Sequence, residues 1–310
     1  MAWQKRGLIY APQGDQPWSR SHAQLPTVDI VDDHVWRIYS ASRDSENRSH
    51  VSFIDVEAGN PTSVIRESAG PILEPGDRGT FDDSGVMPSW IVRQGNVKYL
   101  YYIGWTLRQA VPYHNSVGLA ASMDGGESFQ RVSKGPVLGT GPEEPYFTGT
   151  SCVLLENGVW RNWYQSGLGW EVVDDRPEPL YHLRYAESDD GIHWNRRGEP
   201  AIGLIGQQGG ITRASVLSTD SGYEMWYCYR NSRGYREDRS ASYRIGYAKS
   251  VDGRVWRRID DEAGIGVSST GWDSEMIAYP HVVIHKDTKY MLYNGNGFGK
   301  SGFGYATQAV

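Results

Sequence analysis

One segment of this chain recurs. Arg184-Tyr-Ala-Glu-Ser-Asp-Asp-Gly-Ile-His-Trp-Asn-Arg196 returns as Gly246-Tyr-Ala-Lys-Ser-Val-Asp-Gly-Arg-Val-Trp-Arg-Arg258, and more loosely as Gly118-Leu-Ala-Ala-Ser-Met-Asp-Gly-Gly-Glu-Ser-Phe-Gln-Arg131. Gly304-Tyr305-Ala306 begins a fourth copy. The alanines Ala120, Ala186, Ala248 and Ala306 are 66, 62 and 58 residues apart. A near-constant period of that length marks a repeat architecture. Each copy reads as a strand, a tight Asp-Gly turn with Gly at the φ > 0 position, and a returning strand opened by an aromatic.

A second periodic feature sets the number of units. Pro26-Thr27-Val28, Pro88-Ser89-Trp90, Thr150-Ser151-Cys152, Ala214-Ser215-Val216 and Pro280-His281-Val282 each open an apolar run, with middle residues 62, 62, 64 and 66 positions apart. An aromatic strand follows each run, at 35–39, 98–102, 159–164, 223–227 and 289–293. The Tyr-Ala element supplies a third strand and the residues after Asp-Gly a fourth. Five four-stranded units predict an all-β fold, a five-bladed β-propeller filling residues 1–310 as a single domain. Five in-phase copies weigh against a β-sandwich. The segment around Gly7–Ala11 is expected to form an outer strand beside the last blade, joining the chain ends without leaving sheet edges open.

Composition agrees. Twelve Trp, twenty Tyr and thirty-seven Gly in 310 residues favour short strands and turns over helices. A net charge of −6 with no basic run speaks against nucleic acid as partner. No apolar stretch has the length of a signal peptide or a membrane span, so a cytoplasmic location and no membrane partner are expected. Cys152 and Cys228 fall in apolar strands of different units and read as buried thiols of a reducing compartment. No spacing of His, Cys or acidic residues matches a structural zinc site, and no phosphate-cradling glycine motif is present. No metal or cofactor is therefore expected.

Antiparallel pairing returns the far end of each second strand to the face where the inner strand begins. The insertions around 106–116, 171–179 and 231–242 belong to that face, where loops on a rigid scaffold commonly carry binding chemistry. The rim then collects His22, Gln24, Arg43, Asp44, Asp82, Asp83, Trp105, Glu143, Glu144, Trp170, Arg213, Arg230, Glu275 and Asn296. His281 lies within an inner strand. Indole faces suit sugar C–H surfaces, while Arg, Asn and Asp match ring hydroxyls. A glycosidic bond needs one acid and one base or nucleophile about 5 to 9 Å apart. Asp44, Asp83, Glu144 and Glu275 are the candidates for that work. The other rim residues except Glu143, together with His281, are candidates for binding substrate; Asp82 and Glu143 are also weighed for the catalytic work. Asp124, Asp190 and Asp252 sit in tight turns on the opposite face and read as structural.

The five units and their Tyr-Ala-x-Ser-x-Asp-Gly-x-x-Trp element resemble the five-bladed propeller glycosidases of the arabinanase, xylosidase, invertase and mannoside-phosphorylase type, over about Leu8 to Gln308. The segments 43–50 and 293–304 also resemble propeller proteins associated with surface-polysaccharide sugars. The resemblance implies a saccharide or sugar-phosphate ligand and carboxylate chemistry at the central funnel. The chain departs from that pattern where Leu25 and Met87 precede the inner-strand prolines, positions at which those enzymes carry Asp. Three function classes follow: an enzyme cleaving or transferring a glycosidic bond, a sugar phosphorylase or activated-sugar enzyme holding phosphate with Arg43, Arg48, Arg213 and Arg230, and a non-catalytic saccharide-binding propeller.

Overall fold

The computed structural model describes residues 2–310. It is all-β. Strand β1 (Gln4–Tyr10) is followed by β2 (Ser21–Ile30), β3 (Val35–Arg43), β4 (Ser49–Glu57) and β5 (Asn60–Glu67). Next come β6 (Gly85–Gln94), β7 (Val97–Leu107), β8 (Tyr113–Ser122) and β9 (Gln130–Arg131). Then follow β10 (Thr148–Glu156), β11 (Val159–Val173), β12 (Arg176–Ser188) and β13 (Asn195–Ile202). The remainder are β14 (Gln208–Thr219), β15 (Gly222–Asn231), β16 (Arg244–Ser250), β17 (Arg257–Arg258), β18 (Ala278–His285), β19 (Thr288–Asn294) and β20 (Phe303–Ala309).

Antiparallel pairing groups these strands as β2 to β5, β6 to β9, β10 to β13, β14 to β17, and β18 to β20 with β1. A single parallel bridge, Ser49 to Gly85, links the first group to the second; another, Tyr181 to Gly210, links the third to the fourth. In the last group Gln4–Tyr10 lies against β20, slightly upstream of the segment expected from sequence.

Apolar packing runs between the groups. One cluster joins Val28, Trp36 and Ile38 of the first group to Tyr290, Leu292 and Phe303 of the last. Others hold the first to the second, the second through the fourth, and the fourth to the fifth.

The Asp-Gly turns add directed bonds. Tyr39 donates to Gly126 O, Tyr101 to Gly191 O and Trp163 to Gly253 O. Each time an aromatic of one second strand caps the turn of the next group. The turns are closed from within: Asp190 Oδ1 accepts the Ile192 and His193 N–H groups, and Asp252 Oδ1 accepts those of Arg254 and Val255. The repeated Gly before the Tyr-Ala element also has a packing reason. Tyr102 and Tyr227 pair across the ladder with Gly118 and Gly246, where a Cβ would come within 2.2 and 2.4 Å of the ring.

The structure corrects two boundaries. The inner strands begin at Ser21, Gly85, Thr148, Gln208 and Ala278, three to seven residues before Thr27, Ser89, Ser151, Ser215 and His281, the starts expected from sequence. In every one the ladder slips at the expected start, from Gln24 to Thr27, Pro88 to Trp90, Thr148 to Ser151, Thr212 to Ser215 and Ala278 to His281. These are β-bulges, which re-aim side chains where a strand meets a site. Leu25, Arg213 and Tyr279 have φ of 58°, 58° and 55° there. The insertion around 171–179 is not a loop: β11 and β12 continue their pairing to Val173 and Arg176 around Asp174-Asp175.

Candidate functional site

The bulges build the floor of a cavity of about 450 Å³. Each group contributes one floor residue: Leu25, Met87, Thr150, Thr212 and Tyr279. Their spacings of 62, 63, 62 and 67 follow the repeat. Aromatic walls come from Trp105, Tyr113, Tyr181, Tyr235, Tyr243 and Phe298. Polar walls come from His22, Gln24, Arg43, Asn47, Asn115, Gln165 and Arg236. Among the described lining residues there is no Asp or Glu.

Arg213 ties the five groups together beside the cavity. It is fully buried and belongs to β14, yet it bonds to all four other groups. Its guanidinium donates to Ser89 O, to Pro26 O at 3.0 Å and to Thr27 Oγ1 at 2.9 Å, and it meets His281 Nδ1 at 3.2 Å. Its own N–H donates to Thr150 Oγ1. The same cross-linking continues around the inner strands: the Ser89 hydroxyl donates to Ser151 O and accepts from Ser151 N–H, and the Thr150 and Thr212 hydroxyls share a hydrogen bond. Burial lowers the Arg213 guanidinium to about 10, and His281 is held well below its ordinary value by burial and then by Arg213.

On the side of the first group, Arg43 Nε donates to Gln24 Oε1 at 3.0 Å and Nη1 to Asn47 Oδ1 at 2.8 Å. Gln24 is itself fixed through Nε2 to Phe298 O. His22 is lowered to about 4, chiefly by burial and further by Arg43 and Lys300, so it is neutral at pH 7. Across the cavity the Tyr181 and Tyr243 hydroxyls share a short hydrogen bond, and Arg230 Nε donates to the Tyr181 oxygen at 3.1 Å. Arg230 is 1 % exposed, stacks 3.8 Å from the Tyr235 ring centre, and sends its other N–H groups to the Pro179 and Asn231 carbonyls.

Four of the expected residues therefore line the cavity: His22, Gln24, Arg43 and Trp105, whose indole N–H is tied to Ser49 Oγ. The carboxylates expected around it do not. Asp44 closes a tight turn, accepting from the Glu46 and Arg48 N–H groups and from the Arg48 and His50 side chains. Burial raises Asp44, but those bonds outweigh it and leave the carboxyl below its usual value. Asp83 is bound by Gly79 N and Ser84 Oγ and is likewise lowered, its hydrogen bonds again outweighing burial.

Asp82 and Glu144 belong to a repeated structural device. Asp82 accepts from Tyr102 and Arg131, and Glu144 from Tyr164, Ser166 and Arg196. Asp260 with Tyr227 and Arg258, and Asp273 with Tyr293 and Lys5, repeat the arrangement. In each, a second-strand tyrosine and an outer-strand cation meet one buried or half-buried carboxylate. Glu275 is exposed, and among the described residues only its backbone is bonded, to Asn296 and Arg244. Asn296 is spent on that loop. Trp170 packs against Tyr113 and Phe147 behind the wall. Arg213, Arg230 and His281 support the cavity without lining it, and Arg48 pairs with Asp44.

Sequence reasoning missed most of the tyrosines. The repeat held the signal: five residues before Ala120, Ala186 and Ala248 stand Asn115, Tyr181 and Tyr243, and all three line the cavity. Both cysteines are buried and free. Among the described residues no group of three or more His, Cys, Asp or Glu is set to hold a metal ion, and no helix is long and apolar enough to cross a membrane.

No family model matches the chain. The uncharacterized protein Rv1502 of Mycobacterium tuberculosis strain H37Rv is 40% identical over 308 residues, covering 99% of each chain. Among solved structures, a protein described as a glycoside hydrolase superposes with a TM-score of 0.75 at 18% identity, over 98% of this chain and 90% of its own. A β-1,2-mannobiose phosphorylase from Listeria innocua, in complex with β-1,2-mannobiose, gives 0.71 at 11% identity, over 100% and 97%. A structure from the GH130 family of mannoside phosphorylases gives 0.73 at 14%, over 99% and 94%. These structural likenesses concern the fold.

Proposed function

The chain belongs to the family of the Mycobacterium tuberculosis protein Rv1502, and we propose for it a five-bladed β-propeller that takes a saccharide into its central cavity and acts on a glycosidic bond there. The five groups of four strands, with apolar packing between the last and the first, support the propeller. Glycoside hydrolases and mannoside phosphorylases share the fold.

The observation that carries the functional reading is the cavity's lining. Aromatic faces from six wall side chains stand against amides, hydroxyls and two arginines, in a volume of about 450 Å³ that suits one or two sugar rings. Trp105 and the tyrosines offer stacking surfaces; Asn115, Gln165, Thr150 and Thr212 offer hydroxyl partners.

With no carboxylate in the described lining, proton transfer falls to Tyr181 in this reading. Its hydroxyl gives a proton to the departing glycosidic oxygen. The phenolate left behind is held by the Arg230 N–H and the Tyr243 hydroxyl. As the glycosidic bond breaks, an oxygen of water or of hydrogen phosphate bonds to the anomeric carbon, and the proton that this nucleophile sheds returns to Tyr181. Tyr181→Phe should keep saccharide binding within a few-fold and lower turnover by roughly two to four orders of magnitude. Assays on aryl glycosides, with and without phosphate, read both quantities. Undiminished turnover in that variant would remove Tyr181 from the chemistry.

The second reading is a saccharide-binding propeller without catalysis, favoured by the same absence of a lining carboxylate. Binding without turnover of any glycoside, in calorimetry run beside the assays, selects it.

A further inference from the structure

Arg43 is the cavity's uncompensated cation. Its two mapped hydrogen bonds go to the neutral amide oxygens of Gln24 and Asn47, and no carboxylate among the described residues pairs with it. Among the described residues Nη2 makes no hydrogen bond. The other lining arginine, Arg236, is different, because Glu178 takes it at 2.9 Å.

The Arg43 guanidinium is also held in place. Phe298 O fixes Gln24, Gln24 fixes Nε, and Asn47 (φ 65°) fixes Nη1. Neutral acceptors orient a guanidinium without cancelling its charge, and its planar fork matches carboxylate and phosphate oxygens. His22 lines the same wall, and Lys300 adds a further positive charge near it. Burial lowers Arg43 below its ordinary value, as expected of a cation removed from water with no counter-ion.

We propose that Arg43, beside His22, receives a negatively charged substituent, carboxylate or phosphate, carried by the saccharide. This rests on the saccharide reading above. The anion takes the open Nη2 side of a preoriented guanidinium, and the aromatic walls take the ring. Anionic sugars are thereby selected over neutral ones of the same shape.

The test is calorimetric titration of the full chain at low salt with methyl glucoside, methyl glucuronide, glucose 6-phosphate, glucose 1-phosphate and inorganic phosphate. The charged sugars should bind at least tenfold more tightly than methyl glucoside. Arg43→Gln should abolish that margin, while an unchanged circular-dichroism melting curve shows that the variant is folded. Arg43→Lys should keep part of it, since the charge stays and the fork is lost. Preference for glucuronide or for the sugar phosphates tells which anion is carried. Equal binding of charged and neutral sugars, or a margin untouched by Arg43→Gln, overturns the proposal. Phosphate binding through Arg43 with no sugar bound overturns the saccharide reading and leaves an anion site alone. No binding by any of the five overturns both.

Discussion

Arg213 Nη2 lies 3.2 Å from His281 Nδ1, with both side chains buried at the centre of the molecule. The arginine donates, so that imidazole nitrogen carries a lone pair and the ring is neutral. Trp90 covers the ring at 4.5 Å between centres. A pair of this kind ties stability to pH.

Unfolded histidine titrates near 6.5, whereas His281 is held well below that by burial and by Arg213. His22 and His182 are lowered to about 4 by burial and neighbouring arginines. Below pH 6.5 the unfolded chain therefore binds protons that the native one refuses, and stability falls as pH drops from 6.5 toward 4. Urea midpoints taken at pH 7.5, 6 and 5 should decrease in that order. A flat profile over this range would mean that these imidazoles are not neutral in the native state.

Arg213→Met should destabilise the fold by about 2–4 kcal/mol, because buried carbonyls of Ser89 and Pro26 lose their donors. Arg213→Lys should recover little, since one ammonium cannot reach several groups at once. Denaturant unfolding measures both; a loss under 1 kcal/mol in either variant contradicts the role of Arg213 as the central tie.

Glu144→Gln tests whether the repeated carboxylates are structural. The change weakens bonds to Arg196, Tyr164 and Ser166, and should cost about 2 kcal/mol. Saccharide binding and turnover per folded molecule should stay within a few-fold. Loss of turnover with an unchanged melting curve would return Glu144 to the catalytic list.

Asp190→Ala removes the acceptor for the Ile192 and His193 N–H groups at the turn. A loss of about 1 kcal/mol is expected, with ligand binding unaffected because the turn faces away from the cavity-lining loops. Impaired binding at full stability would place the site on the wrong face.

What the sequence determined by itself was local and periodic. Asp-Gly turns, alternating apolar strands and the spacing from Ala120 to Ala306 specify strands, turns and their grouping, since such features depend on neighbours a few residues away. The part of the cavity legible in sequence, His22, Gln24, Arg43 and Trp105, sits at strand ends that the repeat locates. Only the tertiary structure decided the rest. Whether an acid such as Glu144 faces a cavity or an arginine depends on half-buried Arg196, 52 positions away, and on which way a bulge turns the strand. Likewise Arg213 reads as a rim residue until Pro26, Ser89 and His281 are brought around it from distant parts of the chain. A carboxylate and an arginine carry the same letters whether they bind substrate or each other, and burial with long-range hydrogen bonding makes that choice.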